Sequence, residues 1–164
     1  MHRLRRGVAT RIITHGVNVD RLQLVDILVV DDNAIDAEMT MRALKRINLA
    51  NKVTWLQDGA AALDFVFCRG QYVSRVSKNP CLILLDIRMP KLSGIEVLRQ
   101  IKSDERTRTI PVVILTSSAE ERDMAEAYAI GANSYLVKPV DAHAFLDVVA
   151  RAGLYWAIHN RVPS

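Results

Sequence analysis

Short runs of apolar residues alternate along the chain with longer segments in which apolar residues recur at helical spacing. The short runs are β-branched or leucine-rich and lack polar alternation, which is typical of strands buried on both faces. They cover residues 27–30, 53–56, 82–85, 112–115 and 135–137. This order predicts five βα units that form one parallel sheet.

The longer segments carry apolar stripes that predict helices packed on the sheet. The stripes are Met39, Ala43, Leu44 and Ile47; Ile95, Leu98 and Ile101; and Phe145, Val148, Val149, Ala152 and Tyr155, the last in a helix capped by Asp141. The predicted fold is therefore a doubly wound, five-stranded parallel α/β sheet with helices on both faces, which is the flavodoxin-like arrangement.

Length and charge place the chain among single-domain proteins. The 164 residues, half of them hydrophobic, can bury one full core. The net charge of +4 resides in residues 1–24, which hold five arginines and one aspartate. The remainder has 17 basic and 17 acidic residues, so we expect no nucleic-acid partner for the domain. We expect residues 1–24 to be a disordered leader, 25–158 the domain and 159–164 a C-terminal tail.

Cysteines and hydropathy indicate a protein of the cytoplasm. Cys68 and Cys81 each border an apolar segment, where Cys commonly acts as a small buried hydrophobe, so a disulfide is disfavoured. No apolar run approaches the length of a membrane span, and the arginine-rich start lacks the apolar region of a secretory signal. We therefore expect no membrane partner.

Polar side chains end four of the five predicted strands. Asp31 and Asp32 follow the first strand, Asp86 the third, Thr116 the fourth and Lys138 the fifth. Ligands of open parallel sheets bind beyond the carboxyl ends of the strands, so these groups are expected to form one site. Each has a simpler explanation when taken alone; the two aspartates, for instance, could cap a helix beginning near Ala34.

The chemistry of these groups is that of phosphoryl transfer. Three neighbouring carboxylates raise one another's pKa unless a cation lies among them, and Mg²⁺ fits one or two carboxylates with phosphate oxygens. Lys138 supplies a mobile positive charge and Thr116 a hydroxyl donor for phosphoryl oxygens. Asp86 is then the nucleophile that becomes an aspartyl phosphate.

The segments "ILVVDDN", "LILLDIRMPKLSGIEVL", "PVVILTSS" and "GANSYLVKPV" together resemble the receiver domain of two-component response regulators over about residues 25 to 158. The resemblance implies a signalling protein rather than an enzyme, one that promotes its own phosphorylation and dephosphorylation. Asp86 would accept phosphate from a histidine kinase, and Asp31, Asp32, Asp86 and the backbone carbonyl of Arg88 would hold Mg²⁺.

The resemblance also implies a conformational switch. Thr116 and Lys138 would bind the phosphoryl group, the Lys138–Pro139 bond would be cis, and the Tyr135 ring would turn inward as Thr116 moves. The Arg88 guanidinium can reach over the acyl phosphate and exclude water, which predicts slow dephosphorylation.

Within the family, the chain is similar to single-domain regulators paired with phytochrome-type histidine kinases. The features are the long connection "FCRGQYVSRVSKNPC", the spacing of "KSDERTRTIPVVILTSS" and the aromatic "GLYWAIHN". Apolar residues of the last helix that do not face the sheet predict a homodimer centred on Trp156.

Other function classes fit less well. A phosphatase or phosphotransferase with a strand-end aspartate nucleophile is the main alternative, but the haloacid-dehalogenase type needs a second aspartate where Arg88 stands. A purely structural receiver would have lost some of the acidic or lysine positions. The kinase, the input signal and the downstream target cannot be read from the sequence.

Overall fold

A computed structural model of the protein describes residues 26–46, 52–75, 79–117 and 121–151, without the side chains of 149–151. The predictions about the leader, the C-terminal tail and Trp156 lie outside these residues. So do those about Ile47, Ala152, Tyr155 and the side chain of Val149.

Five parallel strands form one sheet, as the apolar runs predict. The strands are β1 (Asp26–Val30), β2 (Lys52–Leu56), β3 (Leu82–Asp86), β4 (Val112–Thr116) and β5 (Ser134–Val137). Their order in the sheet is β2-β1-β3-β4-β5, and all four neighbouring pairs are parallel. The chain therefore leaves β1 in one direction and passes back across it to reach β3, which creates a topological switch point between these two strands.

Each strand is followed by a helix. The helices are α1 (Ala34–Arg46), α2 (Gly59–Val66), α3 (Gly94–Ser103), α4 (Glu121–Ile130) and α5 (Ala142–Arg151), and a 3₁₀ turn spans Gly70–Tyr72. Local signals fix where several of them begin. Asp58 accepts a hydrogen bond from the Ala61 amide at the start of α2, and Ser93 and Glu96 form a reciprocal capping box at the start of α3.

Alternate side chains of the strands enter two separate cores, one on each face of the sheet. Leu28 and Val30 of β1 pack in the core that includes residues of α2, α3 and α4. Ile27 and Val29 pack in the core that includes residues of α1 and α5. Burial on both faces explains why β1, β3 and β4 are almost continuously apolar, and the two cores confirm the prediction of helices on both faces.

The predicted buried stripe of α1 is wrong at Met39, whose side chain is 44% exposed. The buried residues of this helix are Ala37, Thr40, Ala43 and Leu44. Successive helical residues advance by about 100°, so Met39 lies about a third of a turn from the centre of this face. The small side chains of Ala37 and Thr40, rather than the larger side chain of Met39, form the N-terminal part of the buried face.

The cysteines and the Lys138–Pro139 bond agree with the sequence predictions. Cys68 and Cys81 are both free, and Cys81 is buried beside β1. The Lys138–Pro139 peptide bond is cis. In the part of the chain that the structure describes, no helix has the length and apolar character needed to cross a membrane.

Candidate functional site

Three carboxylates meet at the carboxyl ends of β1 and β3, where the strand order switches. Single ligand oxygens of Asp31, Asp32 and Asp86 lie within 4.8 Å of one another. Asp31 and Asp86 are buried, whereas Asp32 is exposed. The structure therefore brings together the two strand ends that the sequence predicted to share a site.

The loop after β1 fixes the orientation of Asp31. Its Oδ1 accepts a hydrogen bond of 2.9 Å from the Asn33 amide, and its backbone carbonyl accepts one of 2.9 Å from the Trp55 indole nitrogen. The cap of α1 is Asn33, whose Oδ1 accepts from the amides of Ile35 and Asp36 at 3.0 and 3.1 Å. The alternative in which Asp31 and Asp32 cap this helix is therefore wrong, and both carboxylates remain available to the site.

Lys138 places its ammonium group among the acids. Its Nζ lies 2.6 Å from Asp31 Oδ2, 3.1 Å from Asp36 Oδ2 and 3.5 Å from Asp86 Oδ2. Burial lowers the pKa of Lys138, but the hydrogen bonds to Asp31 and Asp36 and the charge of Asp86 outweigh this effect and leave the pKa above its usual value. The ammonium therefore stays charged at physiological pH.

Asp86 is electrostatically strained in the absence of a further cation. Burial raises its pKa, Lys138 lowers it, and the neighbouring charges of Asp31 and Asp32 raise it again. The Arg88 backbone amide lowers it slightly by hydrogen bonding, and the resulting pKa is about 6. The ammonium of Lys138 therefore does not offset the combined effect of burial, the main cause, and the two neighbouring negative charges on the pKa of Asp86.

The donor set fits a hard divalent cation. Asp31, Asp32 and Asp86 supply carboxylate oxygens within the span of one ion's coordination sphere, and the raised pKa of Asp86 shows that more positive charge would stabilise the site. The exposure of Asp32 leaves one side of the cluster open to water, as a cation that keeps several water ligands requires. These are the three carboxylates among the ligands that were predicted for Mg²⁺, the fourth being the backbone carbonyl of Arg88.

Thr116 and Tyr135 lie at the ends of the neighbouring strands. Thr116 is fully buried at the end of β4, and its backbone carbonyl accepts a hydrogen bond of 2.7 Å from the Lys138 amide. Tyr135 pairs with Ile114 in the sheet, and its half-buried ring packs against the core on the α4 side. The two residues therefore lie on adjacent strands, next to the segment that carries Lys138.

Arg88 extends away from the carboxylates towards α4. Its Nη2 lies 3.6 Å from Asp123 Oδ2, and slightly more than half of its side chain is exposed. Both residues line a groove of about 680 Å³ between α3 and α4. An Arg88 guanidinium that moves over Asp86 must therefore first leave Asp123.

Two contributors to the site were missed by reasoning from the sequence. Asp36 binds Lys138 across 102 positions of the chain, and only its place in the first turn of α1, close to Asp31 and Asp32, could have indicated it. Gly94 packs against the backbone of Asp86 so closely that a Cβ atom would overlap the Asp86 carbonyl oxygen. A glycine at the first position of a predicted helix was the available signal.

Comparisons with known proteins agree with this geometry. The profile of the response regulator receiver domain family matches residues 27–150. The chain belongs to this family. The probable methanogenesis regulatory protein FilR2 of Methanothrix harundinacea (strain 6Ac) is 42% identical over 137 residues, which are 84% of this chain and 86% of that protein. Membership of the receiver family disfavours the phosphatase alternative.

Solved structures place this receiver near regulators associated with phytochromes. The bacteriophytochrome response regulator RtBRR matches with a TM-score of 0.76 and 45% identity, covering 85% of this chain and 84% of that chain. The Mn²⁺-bound form of response regulator Rcp1 matches with a TM-score of 0.69 and 34% identity, covering 85% and 99%. The sequence-based similarity to phytochrome-linked single-domain regulators is therefore confirmed.

Proposed function

We propose that this receiver accepts a phosphoryl group on Asp86 from a histidine kinase and changes its protein contacts as a result. The observation that carries the proposal is the convergence of Asp86 with two further carboxylates and the Lys138 ammonium at the switch point of the sheet. Asp86 ends β3, the central strand of the sheet, and its carboxylate lies beside the two other acids and within 3.5 Å of the Lys138 ammonium. Its pKa of about 6 leaves it mostly ionised, and hence nucleophilic, at neutral pH.

The transfer exchanges one bond to phosphorus for another. A carboxylate oxygen of Asp86 attacks the phosphorus of a phosphohistidine; the new O–P bond forms as the N–P bond breaks, and the electron pair stays on the imidazole nitrogen. Dephosphorylation is the attack of water on the same phosphorus, which releases inorganic phosphate and restores the Asp86 carboxylate. In both steps the receiver positions the reacting groups and stabilises charge. It is thus a signalling protein that promotes its own phosphorylation and dephosphorylation.

The metal ligands proposed are Asp31, Asp32, Asp86 and the backbone carbonyl of Arg88. A Mg²⁺ ion bound there would neutralise the carboxylates and the charge that develops on the phosphoryl oxygens. Lys138 binds a phosphoryl oxygen directly, and the Thr116 hydroxyl donates to another. Movement of Thr116 then lets the Tyr135 ring turn inward, which changes the surface formed by α4, β5 and α5.

The proposed phosphate donor is a histidine kinase of the phytochrome type. The support is the similarity to RtBRR, whose name identifies it as a bacteriophytochrome response regulator, together with the long connection between α2 and β3. A kinase of this type would act in the cytoplasm, where we place this receiver.

The proposed output is a homodimer formed through the last helix. Trp156 would lie near its centre, because tryptophan is enriched among residues that dominate interface energies. Sedimentation of the wild type and Trp156→Ala, with and without acetyl phosphate, tests this idea. Identical monomers at tens of micromolar would contradict it.

Labelling with a small phosphate donor tests the phosphoacceptor role. Acetyl phosphate with Mg²⁺ should add one phosphoryl group to the wild type, detected by intact mass, and none to Asp86→Asn. Omission of Mg²⁺ should prevent labelling of the wild type. Labelling that persists in Asp86→Asn would remove Asp86 from the role.

A further inference from the structure

Asp36 forms an ion pair with Lys138, the residue whose ammonium would bind the phosphoryl group. Its Oδ2 accepts a hydrogen bond of 3.1 Å from Lys138 Nζ, whereas Asp86 Oδ2 lies 3.5 Å from the same nitrogen. The first distance lies within the ordinary range of an N–H···O hydrogen bond, and the second lies beyond it. Before phosphorylation, Lys138 is therefore bound more closely to Asp36 than to the acceptor.

We propose that Asp36 is a positioning residue whose carboxylate competes with the phosphoryl group for the Lys138 ammonium. This competition sets how much Lys138 stabilises the phosphorylated state. The inference rests on the proposed function, because it assumes that Lys138 binds a phosphoryl group on Asp86. It adds a competing carboxylate, supplied by α1, to the residues at the strand ends.

The position of Asp36 is set by the start of α1. The Asp36 amide donates to Asn33 Oδ1, and the Asn33 amide donates to Asp31 Oδ1. This chain of hydrogen bonds ties the first turn of α1 to the carboxylate cluster. The backbone of Asp36 is therefore held at a place from which its carboxylate reaches the Lys138 ammonium.

Release of Lys138 from Asp36 is feasible because water can replace the ammonium there. The Asp36 side chain is 34% exposed, whereas those of Asp31 and Asp86 are nearly or fully buried. Exposed carboxylates lose little when an ion pair breaks, since they are hydrated again. Asp31 would keep its contact with Lys138 during the change, and Asp36 is the partner that the phosphoryl group displaces.

Beryllofluoride, a non-covalent phosphoryl analogue, measures this competition. Its affinity should be determined at saturating Mg²⁺ for the wild type and Asp36→Asn, in about 0.5 M potassium chloride so that long-range charge effects are screened. We expect Asp36→Asn to bind about two- to fivefold more tightly, the range of a partly exposed ion pair with a lysine. Equal affinity of the two proteins would overturn the proposal.

Glu38→Gln is the matched control. Glu38 lies on the same helix, and its replacement removes the same charge, but it pairs with Arg42 on the exposed side of α1 and does not contact Lys138. The control should bind beryllofluoride like the wild type. A gain equal to that of Asp36→Asn would show a general effect of charge and would overturn the role of Asp36.

A crystal structure of the wild-type Mg²⁺–beryllofluoride complex gives a readout that does not depend on the folding of a variant. We expect Lys138 Nζ to contact a fluoride and to have left hydrogen-bond distance of Asp36. Retention of the Asp36 hydrogen bond in that complex would contradict the competition. A wild type that neither binds beryllofluoride nor is labelled on Asp86 would instead defeat the proposed function itself.

Discussion

Gly94 packs directly against the backbone of Asp86. Its lack of a side chain lets the first turn of α3 approach the end of β3, where a Cβ atom would overlap the Asp86 carbonyl oxygen and lie 2.8 Å from Ile87 Cα. The Gly94 amide also donates a hydrogen bond of 2.8 Å to the Ile87 carbonyl. The proposed acceptor is thus held by α3 as well as by the sheet.

Gly94→Ala should destabilise the protein. Helix propensity alone would favour alanine by up to about 1 kcal/mol, but the overlap with backbone atoms should cost about 2 kcal/mol or more of unfolding free energy. Urea denaturation checks the sign. The control is the reverse change of one methyl group at the exposed Ala125 of α4, where Ala125→Gly should cost about 1 kcal/mol. A Gly94→Ala protein more stable than the wild type would contradict the close approach.

Asp86→Asn should stabilise the Mg²⁺-free protein at neutral pH. The pKa of Asp86 rises from 3.8 to about 6 on folding, so between these values the folded state binds more protons than the unfolded state. The contribution of Asp86 to the free energy of unfolding is therefore fully present below pH 3.8 and is lost as the pH rises through about 6. The loss is at most about 3 kcal/mol, and asparagine avoids it.

Thermal unfolding in EDTA from pH 4 to pH 8 measures this effect. The melting temperature of Asp86→Asn should exceed that of the wild type most near pH 8, and the difference should shrink towards pH 4. Glu38→Gln, which removes an exposed acid, should follow the wild type at each pH. A constant advantage across the whole range would mean that Asp86 ionisation is not its cause.

Most of the fold follows from the sequence because the central strands β1, β3 and β4 are buried on both faces. Continuous apolar runs such as residues 82–85 are long enough to mark the strands, and the end of each run marks the edge where the site lies. Asp31, Asp32, Asp86 and Lys138 were predicted for the same reason. Each follows a buried strand directly, and parallel strands bring their carboxyl ends to one edge.

The remaining features depend on distances that no local pattern encodes. Asp36 meets Lys138 only because the first turn of α1 and the loop after β5 both lie at the carboxyl edge of the sheet, although 102 positions separate them. Met39 has the right chemistry for a buried helical face, but the close packing of α1 on the sheet favours the smaller Ala37 and Thr40. The ion pair of Arg88 with Asp123 likewise depends on how α4 lies beside the β3–α3 loop.

Trp55 should report metal binding. Its indole nitrogen donates to the Asp31 backbone carbonyl, so coordination of Mg²⁺ by Asp31 should alter Trp55 fluorescence. The titration is best done in Trp156→Phe, since the chain contains two tryptophans. Asp32→Asn in the same background should weaken Mg²⁺ binding by at least about tenfold. Coinciding Mg²⁺ titration curves of Trp156→Phe with and without Asp32→Asn would exclude Asp32 as a ligand.

Arg88 should prolong the life of the acyl phosphate. Its guanidinium can pair with phosphoryl oxygens and exclude water once it leaves Asp123. Arg88→Ala should therefore shorten the lifetime by about threefold, and Asp123→Asn, which frees the guanidinium, should lengthen it. Decay is followed by intact mass after acetyl phosphate is removed. An unchanged or longer lifetime in Arg88→Ala would contradict this role.

The central claim is that Asp86 itself carries the phosphoryl group, and borohydride trapping tests it most directly. An acyl phosphate is reduced by borohydride to an alcohol, so the wild type treated with acetyl phosphate and Mg²⁺ should yield homoserine at position 86 in peptide mass spectra. Protein treated without Mg²⁺, and the Asp86→Asn variant, should yield none. Homoserine at position 31, 32 or 36 with position 86 unchanged would contradict the account.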